Sequence, residues 1–239
     1  MVYDHRNVGS SDGTPRDELD PDKQAQDVHD AVTFLLQQPS VDANRVGVFG
    51  YSYSALHAVR AGALDRRIRA VVSLSSLLSG DWLLRLAGGD REAADRVVWE
   101  DRAARLAGRD EPRYFPMIPT DEDGKENAIF PMPNAIEFYG RMRRTKSPEW
   151  GNKVTVQSQA MIRSCDVHPY LPLLAPTPLL MLADQESLES GIYQRAFEIA
   201  VEPKQWGTYP GGHFDGLQGE GFEIVVQTSV GFFKKWLGN

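Results

Sequence analysis

The chain has 239 residues, the size of one large domain, and at 41% apolar composition it can bury a real core. Its formal charge of −7 comes from interspersed acidic and basic side chains, and no basic stripe points to nucleic acid. The longest apolar stretch, Ala70 to Leu78, contains three serines and is too short to span a bilayer, which speaks against a membrane partner.

The segment Val2-Tyr3-Asp4 reads as the tail of a strand, and Arg6 to Arg16 is rich in turn residues. Asp20-Pro21 is an N-cap followed by proline at the first helical position. Ala25, Val28, Ala31, Val32, Leu35 and Leu36 recur at helical spacing, so a helix is predicted from Pro21 to Gln38, with Pro39 as its stop. A strand follows at Arg45 to Phe49, then a helix from Ser54 to Ala63 and a buried strand from Ile68 to Leu74. The alternation breaks between about Asp81 and Pro176, which holds charged helical stretches and the loop-like Pro112 to Pro133. It resumes with a strand at Pro178 to Ala183, a helix near Glu189 to Val201, a strand at Lys204 to Tyr209 and a last helix at about Gly221 to Leu237. This rhythm predicts an α/β fold with a mostly parallel sheet flanked by helices. Residues 1–80 and 177–239 form the core, and 81–176 form a helical lid insertion.

The segment Gly50-Tyr51-Ser52-Tyr53-Ser54 stands where a strand turns sharply into a helix. In that setting a serine becomes exposed as a nucleophile, and the residues two before and two after it must be small. Gly50 meets the requirement, and Ser54 replaces the second glycine of the usual pattern. Alone, such a string is a common strand–helix turn. A serine hydroxyl also needs a base, and the base needs an orienting acid. The strand ending at Ala183 runs into Asp184-Gln185-Glu186, and the strand ending at Tyr209 runs into Pro210-Gly211-Gly212-His213. The order serine, acid, histidine at three sheet-end loops is that of the hydrolase template. Ser52 is the expected nucleophile and His213 the expected base. Glu186 is favoured as the acid because its loop has room to bend back toward His213. Asp184, directly after the strand, is the alternative, with the other carboxylate left as a solvated loop residue. The backbone N–H of Tyr53 is the one oxyanion donor that can be named.

His57 reads as a helix-surface or packing residue, and His29, beside Asp27 and Asp30, as part of a polar helix face. His5 and His168 precede turn-like segments. No zinc spacing, P-loop or dinucleotide fingerprint is present, so no metal or cofactor is expected. The start Met1-Val2-Tyr3-Asp4-His5-Arg6 has no signal-peptide or lipidation pattern, and Cys165 has no partner for an internal disulfide. A cytoplasmic location is the default expectation.

With Ser52, Glu186 and His213 aligned, the chain resembles an α/β-hydrolase. More narrowly, it is similar to the polyketide transferase/thiohydrolase group of secondary-metabolite clusters. The resemblance rests on Tyr3-Asp4-His5-Arg6 with Ser11-Asp12-Gly13-Thr14-Pro15-Arg16, on the elbow, and on Trp150-Gly151-Asn152-Lys153-Val154-Thr155. Thr177-Pro178 with its strand and Gly211-Gly212-His213-Phe214 complete it. In that group the acid loop reads Ala-x-x-Asp, so Ala183 places Glu186 at the acid position, with glutamate in place of aspartate. Relatives carry two or three strands and an oxyanion loop ahead of the segment that begins here, and these are expected to be absent. An uncovered sheet edge invites pairing with another chain, which points to a homodimer.

The resemblance implies release or transfer of a polyketide acyl chain, on a small molecule or a carrier protein, through an acyl-enzyme. Trp82, Trp99, Tyr114, Phe115, Phe130, Phe138 and Tyr139 would either line an acyl-binding wall or pack the insertion onto the sheet. The alternatives are a general carboxylesterase or lactonase, and a hydrolase-like binding protein without catalysis.

Overall fold

The computed structural model describes residues 1–86, 90–109, 111–120 and 128–238. In chain order its elements are α1 (Pro21–Leu36), β1 (Gly47–Tyr51), α2 (Tyr53–Leu64), β2 (Ala70–Leu74), α3 (Gly80–Leu86), α4 (Arg91–Leu106) and β3 (Tyr114–Pro116). Then come α5 (Pro133–Thr145), β4 (Lys153–Thr155), α6 (Val156–Arg163), β5 (Leu179–Asp184), α7 (Ile192–Ile199), β6 (Lys204–Tyr209) and α8 (Gly219–Leu237). Packing divides the chain into two compact units. One holds Asp22–Ser79 and Asp166–Asn239, and the other holds Val2–Pro21 and Gly80–Cys165.

The first unit is built on a four-stranded sheet in the order β1-β2-β5-β6, parallel throughout. Every residue of β2 and β5 is buried. That is why both read as continuous apolar runs rather than alternating ones: helices cover both faces of a parallel sheet. On one face Ala70, Val72, Leu74, Leu180, Leu182 and Tyr209 pack against Val225 and Phe232 of α8. On the other, α2 buries Ala55, Leu56, Ala58, Val59 and Ala61. Gly62 of α2 approaches so closely that a Cβ there would lie 2.4 Å from Val71 Cγ2.

Asp65, just past α2, ties α1 to the helix–strand corner. Its carboxylate accepts from Arg67 Nε at 2.8 Å and Nη2 at 2.6 Å and meets His29 Nδ1 at 3.1 Å. The same guanidinium reaches Thr33 Oγ1 at 2.8 Å and the His29 carbonyl at 3.3 Å. His29 therefore serves this clamp through Asp65.

In the second unit β3 and β4 pair antiparallel. Thr155 caps α6 by accepting from Ser158 N, and Asp90 caps α4 by accepting from Glu92 N and Ala93 N. Gln157 of α6 donates to the Val98 carbonyl at 3.1 Å and to Asp101 Oδ2 at 2.7 Å, joining α6 to α4. The N-terminal loop belongs to this unit. Thr155 N donates to the Asp17 carbonyl, Leu19 N to Ser158 Oγ, and Tyr114 OH to the Arg16 carbonyl. The strand expected at Val2-Tyr3-Asp4 is absent. Val2 is 99% exposed, and Asp4 turns inward on its own loop, accepting from Ser10 N on its carboxylate and from Ser11 Oγ on its carbonyl. Phe130, Phe138, Tyr139 and Trp150 form a chain of ring contacts, while Trp99 is 62% exposed. Among the described residues no helix is long and apolar enough to cross a membrane.

The Asp65 clamp gives a stability prediction. Arg67 holds the Asp65 carboxyl far below the ordinary carboxylate value of 3.8, and His29 adds to the effect. The Arg67 side chain is 41% exposed, so solvent screens the pair. Asp65→Asn should cost about 1–2 kcal/mol at neutral pH, measured by urea unfolding. Because the folded-state value is depressed, this contribution is complete above 3.8 and declines as pH falls below it. The gap between wild type and variant should therefore narrow on acidification.

Candidate active site

β1 ends at Tyr51 and α2 begins at Tyr53, leaving Ser52 alone to turn the chain. It does so at φ 55°, ψ −118°, a conformation that a residue with a side chain rarely adopts. Its N–H donates to the Leu74 carbonyl at 2.9 Å, and its own carbonyl accepts from Ala55 N and Leu77 N. The strained residue is thus pinned to the end of β2 and the start of α2. A Cβ on Gly50 would lie 2.4 Å from the Ser54 carbonyl oxygen and 2.5 Å from Ala55 Cα. Only glycine fits there.

Ser54, in the second small position, has a different reason for being present. Its hydroxyl accepts from Tyr51 N at 3.0 Å and donates to the Tyr51 carbonyl at 2.8 Å. Tyr53 is the first residue of α2, so its N–H lies at the positive end of the helix dipole.

His213 opens a 3-10 turn, His213–Leu217, that follows β6 and two glycines. Gly211 takes φ 81° and Gly212 donates its N–H to Asp215 Oδ2 at 2.8 Å, which folds the loop back over the sheet end. The outcome is that His213 Nε2 lies 3.0 Å from Ser52 Oγ, although 161 residues separate them. The two outer members of the expected constellation are within hydrogen-bond reach. Burial pushes the His213 imidazole below its ordinary value of 6.5, and the negative charge of Asp184 opposes that shift.

The two carboxylates at the end of β5 occupy different surroundings. Glu186 is exposed, and its N–H donates to the Gly211 carbonyl at 3.2 Å. Its Oε2 lies 2.4 Å from where a Gly212 Cβ would stand, so the side chain lies against the residue before His213. No hydrogen bond joins Glu186 to the imidazole. Asp184 is the last residue of β5 and only 1% exposed, not a solvated loop carboxylate. It accepts from Ser75 Oγ at 3.1 Å and from Ser187 N at 3.0 Å.

Sequence reasoning missed what lies beneath the histidine. Ser75 Oγ is 2.7 Å from Tyr209 OH, and both Tyr209 OH and Tyr51 OH donate to the His213 carbonyl at 3.1 Å. Tyr209 had one legible signal, its place as the final strand residue before Pro210-Gly211-Gly212-His213. Nothing in the sequence marks Ser75. Of the other histidines, His57 is fully buried, with its ring edge-on to Tyr53 at 4.5 Å, so it packs rather than facing solvent. Among the described residues no group of His, Cys, Asp and Glu is arranged to hold a metal ion.

Comparison with known proteins bears on the family and the fold. Residues 1–223 match the family described as the Alpha/beta hydrolase family. A polyketide transferase of Aspergillus fumigatus is 32% identical over 241 residues, which cover 99% of this chain and 80% of that protein. A thiohydrolase of Arthrinium phaeospermum is 33% identical, over 98% of this chain and 78% of its own. The crystal structure of the alpha/beta hydrolase GrgF from a Penicillium species superposes with a TM-score of 0.82 at 27% identity, covering 100% of this chain and 80% of that one.

The buried imidazole predicts a titration with a definite sign. Followed by NMR, His213 should take up its proton below 6.5. Because the unfolded chain binds that proton more readily, acidification through this range should lower stability until the folded-state imidazole is itself protonated. A midpoint above 6.5 would mean that the carboxylates outweigh burial.

Proposed function

The chain belongs to the alpha/beta hydrolase family, and from that premise we propose that it is a serine hydrolase or acyltransferase working through an acyl-enzyme on Ser52. Relatives named polyketide transferase and thiohydrolase support hydrolase or acyl-transfer chemistry. The observation that carries the serine mechanism is the 3.0 Å approach of His213 Nε2 to Ser52 Oγ at a strained strand–helix turn.

In this reading Ser52 Oγ attacks the carbonyl carbon of an ester, thioester or lactone, and its proton passes to His213 Nε2. The developing oxyanion is met by the Tyr53 N–H at the start of α2. Collapse breaks the bond to the leaving oxygen or sulfur, which takes the proton from His213. Water, or an alcohol acceptor, then repeats the exchange in reverse and releases the acyl group. Glu186 is the orienting acid. Its loop is tied to the histidine loop through Gly211, and in unliganded sites such bonds are often long and tighten with substrate. The acyl group is that of a polyketide, carried on a small thiol or a carrier protein.

Two measurements test this. A fluorophosphonate probe should label wild-type protein at Ser52 and leave Ser52→Ala unlabelled; well-folded wild type that resists the probe would sink the reading. With an N-acetylcysteamine acyl thioester, Ser52→Ala should lose about 10⁴–10⁶ in kcat and Glu186→Gln about 10³–10⁴. Glu186→Gln turning over at the wild-type rate would remove Glu186 from the mechanism.

A further inference from the structure

The hydroxyl cluster under His213 has more contacts than protons. Ser75 and Tyr209 bring one hydroxyl proton each, yet three contacts connect Asp184 to Ser75, Ser75 to Tyr209 and Tyr209 to the His213 carbonyl. A buried carboxylate needs its donors, so Ser75 gives its proton to Asp184. The Tyr209 proton is then divided between Ser75 Oγ at 2.7 Å and the His213 carbonyl at 3.1 Å. The nearer acceptor takes the larger share. Tyr51 OH, also 3.1 Å from that carbonyl, makes up the difference. The Tyr51 ring also lies against the imidazole, with centroids 4.9 Å apart at 33°.

The cluster is built at a cost to the backbone. Ser75 sits at φ 39°, a second serine held in the left-handed region, and its N–H is fixed to the Leu182 carbonyl at 2.8 Å. The fully buried Tyr209 ring packs tightly against two glycines. A Cβ on Gly216 would lie 2.9 Å from its Cζ, and one on Gly221 3.3 Å from its Cδ2. Burial and the Asp184 charge push the phenol well above its usual range, so Tyr209 remains a donor.

We propose that Asp184, Ser75, Tyr209 and Tyr51 form a positioning device that fixes His213 over Ser52 by its backbone carbonyl, separately from the acid Glu186. Their hydrogen bonds reach His213 at its backbone carbonyl, and Tyr51 adds ring contact with the imidazole. Tyr209 and Tyr51 hold the loop, Ser75 fixes Tyr209, and Asp184 fixes Ser75 while its charge favours the protonated imidazole. The inference rests on the serine mechanism proposed above. Among the described residues, the titratable groups around the His213 loop and the cluster are Asp184 at the end of β5, Glu186 in the loop after it, Asp215 in the turn itself, and the phenols of Tyr51, Tyr209 and, on α7, Tyr193.

The experiment compares Tyr51→Phe, Tyr209→Phe, the double variant and Asp184→Asn. Fluorophosphonate labelling against pH, kcat and KM on the thioester, and the NMR titration of His213 are read for each. Because two donors share one carbonyl, each single phenylalanine should reduce kcat only a few-fold. The double variant should lose about 10–100-fold, more than the product of the singles, with KM unchanged. Asp184→Asn should move the His213 midpoint and the acid limb of labelling to lower pH, whereas the phenylalanine variants should leave both in place. Wild-type kcat in the double variant, or an unmoved His213 midpoint in folded Asp184→Asn, would overturn the device. If Asp184→Asn does not fold, Ser75→Ala takes its place: it removes the acceptor that competes for the Tyr209 proton, so Tyr51→Phe should cost less kcat in that background than in the wild type, and an equal or greater loss would overturn the device. Failure of the wild type to label would count against the serine mechanism instead, and the His213 titration would still decide whether Asp184 acts on the imidazole.

Discussion

The backbone of Ser52 is the constraint on which the rest of the site depends. A residue in this conformation costs about 1–3 kcal/mol, and it persists only where the surroundings leave no alternative. Here β1 is zipped to β2 from Gly47 to Tyr51, and α2 is buried along Ala55, Leu56, Ala58 and Val59. The chain must pass from one to the other in a single residue. Burying those α2 side chains contributes far more than the turn costs, at about 25 cal/mol per Å² of apolar surface. The strain is therefore held by the fold, and it lifts the serine hydroxyl out of the sheet to within reach of His213.

Gly50 and Ser54 show how the same turn makes two unlike demands. At Gly50 the following helix passes so near that no side chain fits. At Ser54 there is room, and the hydroxyl satisfies both backbone groups of Tyr51 on a strand that is the edge of its sheet. A glycine in that position would leave Tyr51 N–H and C=O to other partners. The departure from the usual small-residue pattern therefore has a local use, and the serine in place of glycine is no weakness of the elbow.

The core was legible because it follows period and punctuation. Continuous apolar runs marked β2 and β5, Asp20-Pro21 marked the start of α1, and Lys204–Tyr209 was read with its observed bounds. The histidine loop was legible for the same reason, since two glycines after a strand end announce a tight return. Contacts between distant residues were not legible. Ser75 and Tyr209 meet across 134 residues, and Ser75 and Asp184 across 109. Each of these residues has an ordinary local context, so only the assembled sheet reveals their meeting. Val2-Tyr3-Asp4 failed in the opposite way: its β propensity is real, but Asp4 is consumed by Ser10 and Ser11 of its own loop, and no strand forms beside it.

The two carboxylates at the end of β5 differ in surroundings that loop position, which favours Glu186 as the acid, does not reveal. They stand two residues apart in Asp184-Gln185-Glu186, and either type can orient a histidine. What separates them is the end of the strand. Asp184 is still within the β5–β6 ladder, opposite Tyr209, so its short side chain is held in the interior, where Ser75 and the Ser187 N–H must satisfy it. With those bonds made, it reaches His213 through the Ser75 and Tyr209 hydroxyls and through the field it projects. Glu186 has left the ladder, is exposed, and lies against Gly212 with an extra methylene of reach. A carboxylate that must remain fixed is placed where the sheet fixes it. The loop that carries Glu186 is tied to the histidine loop at the Gly211 carbonyl, which under the proposed mechanism makes Glu186 the carboxylate placed to orient the imidazole.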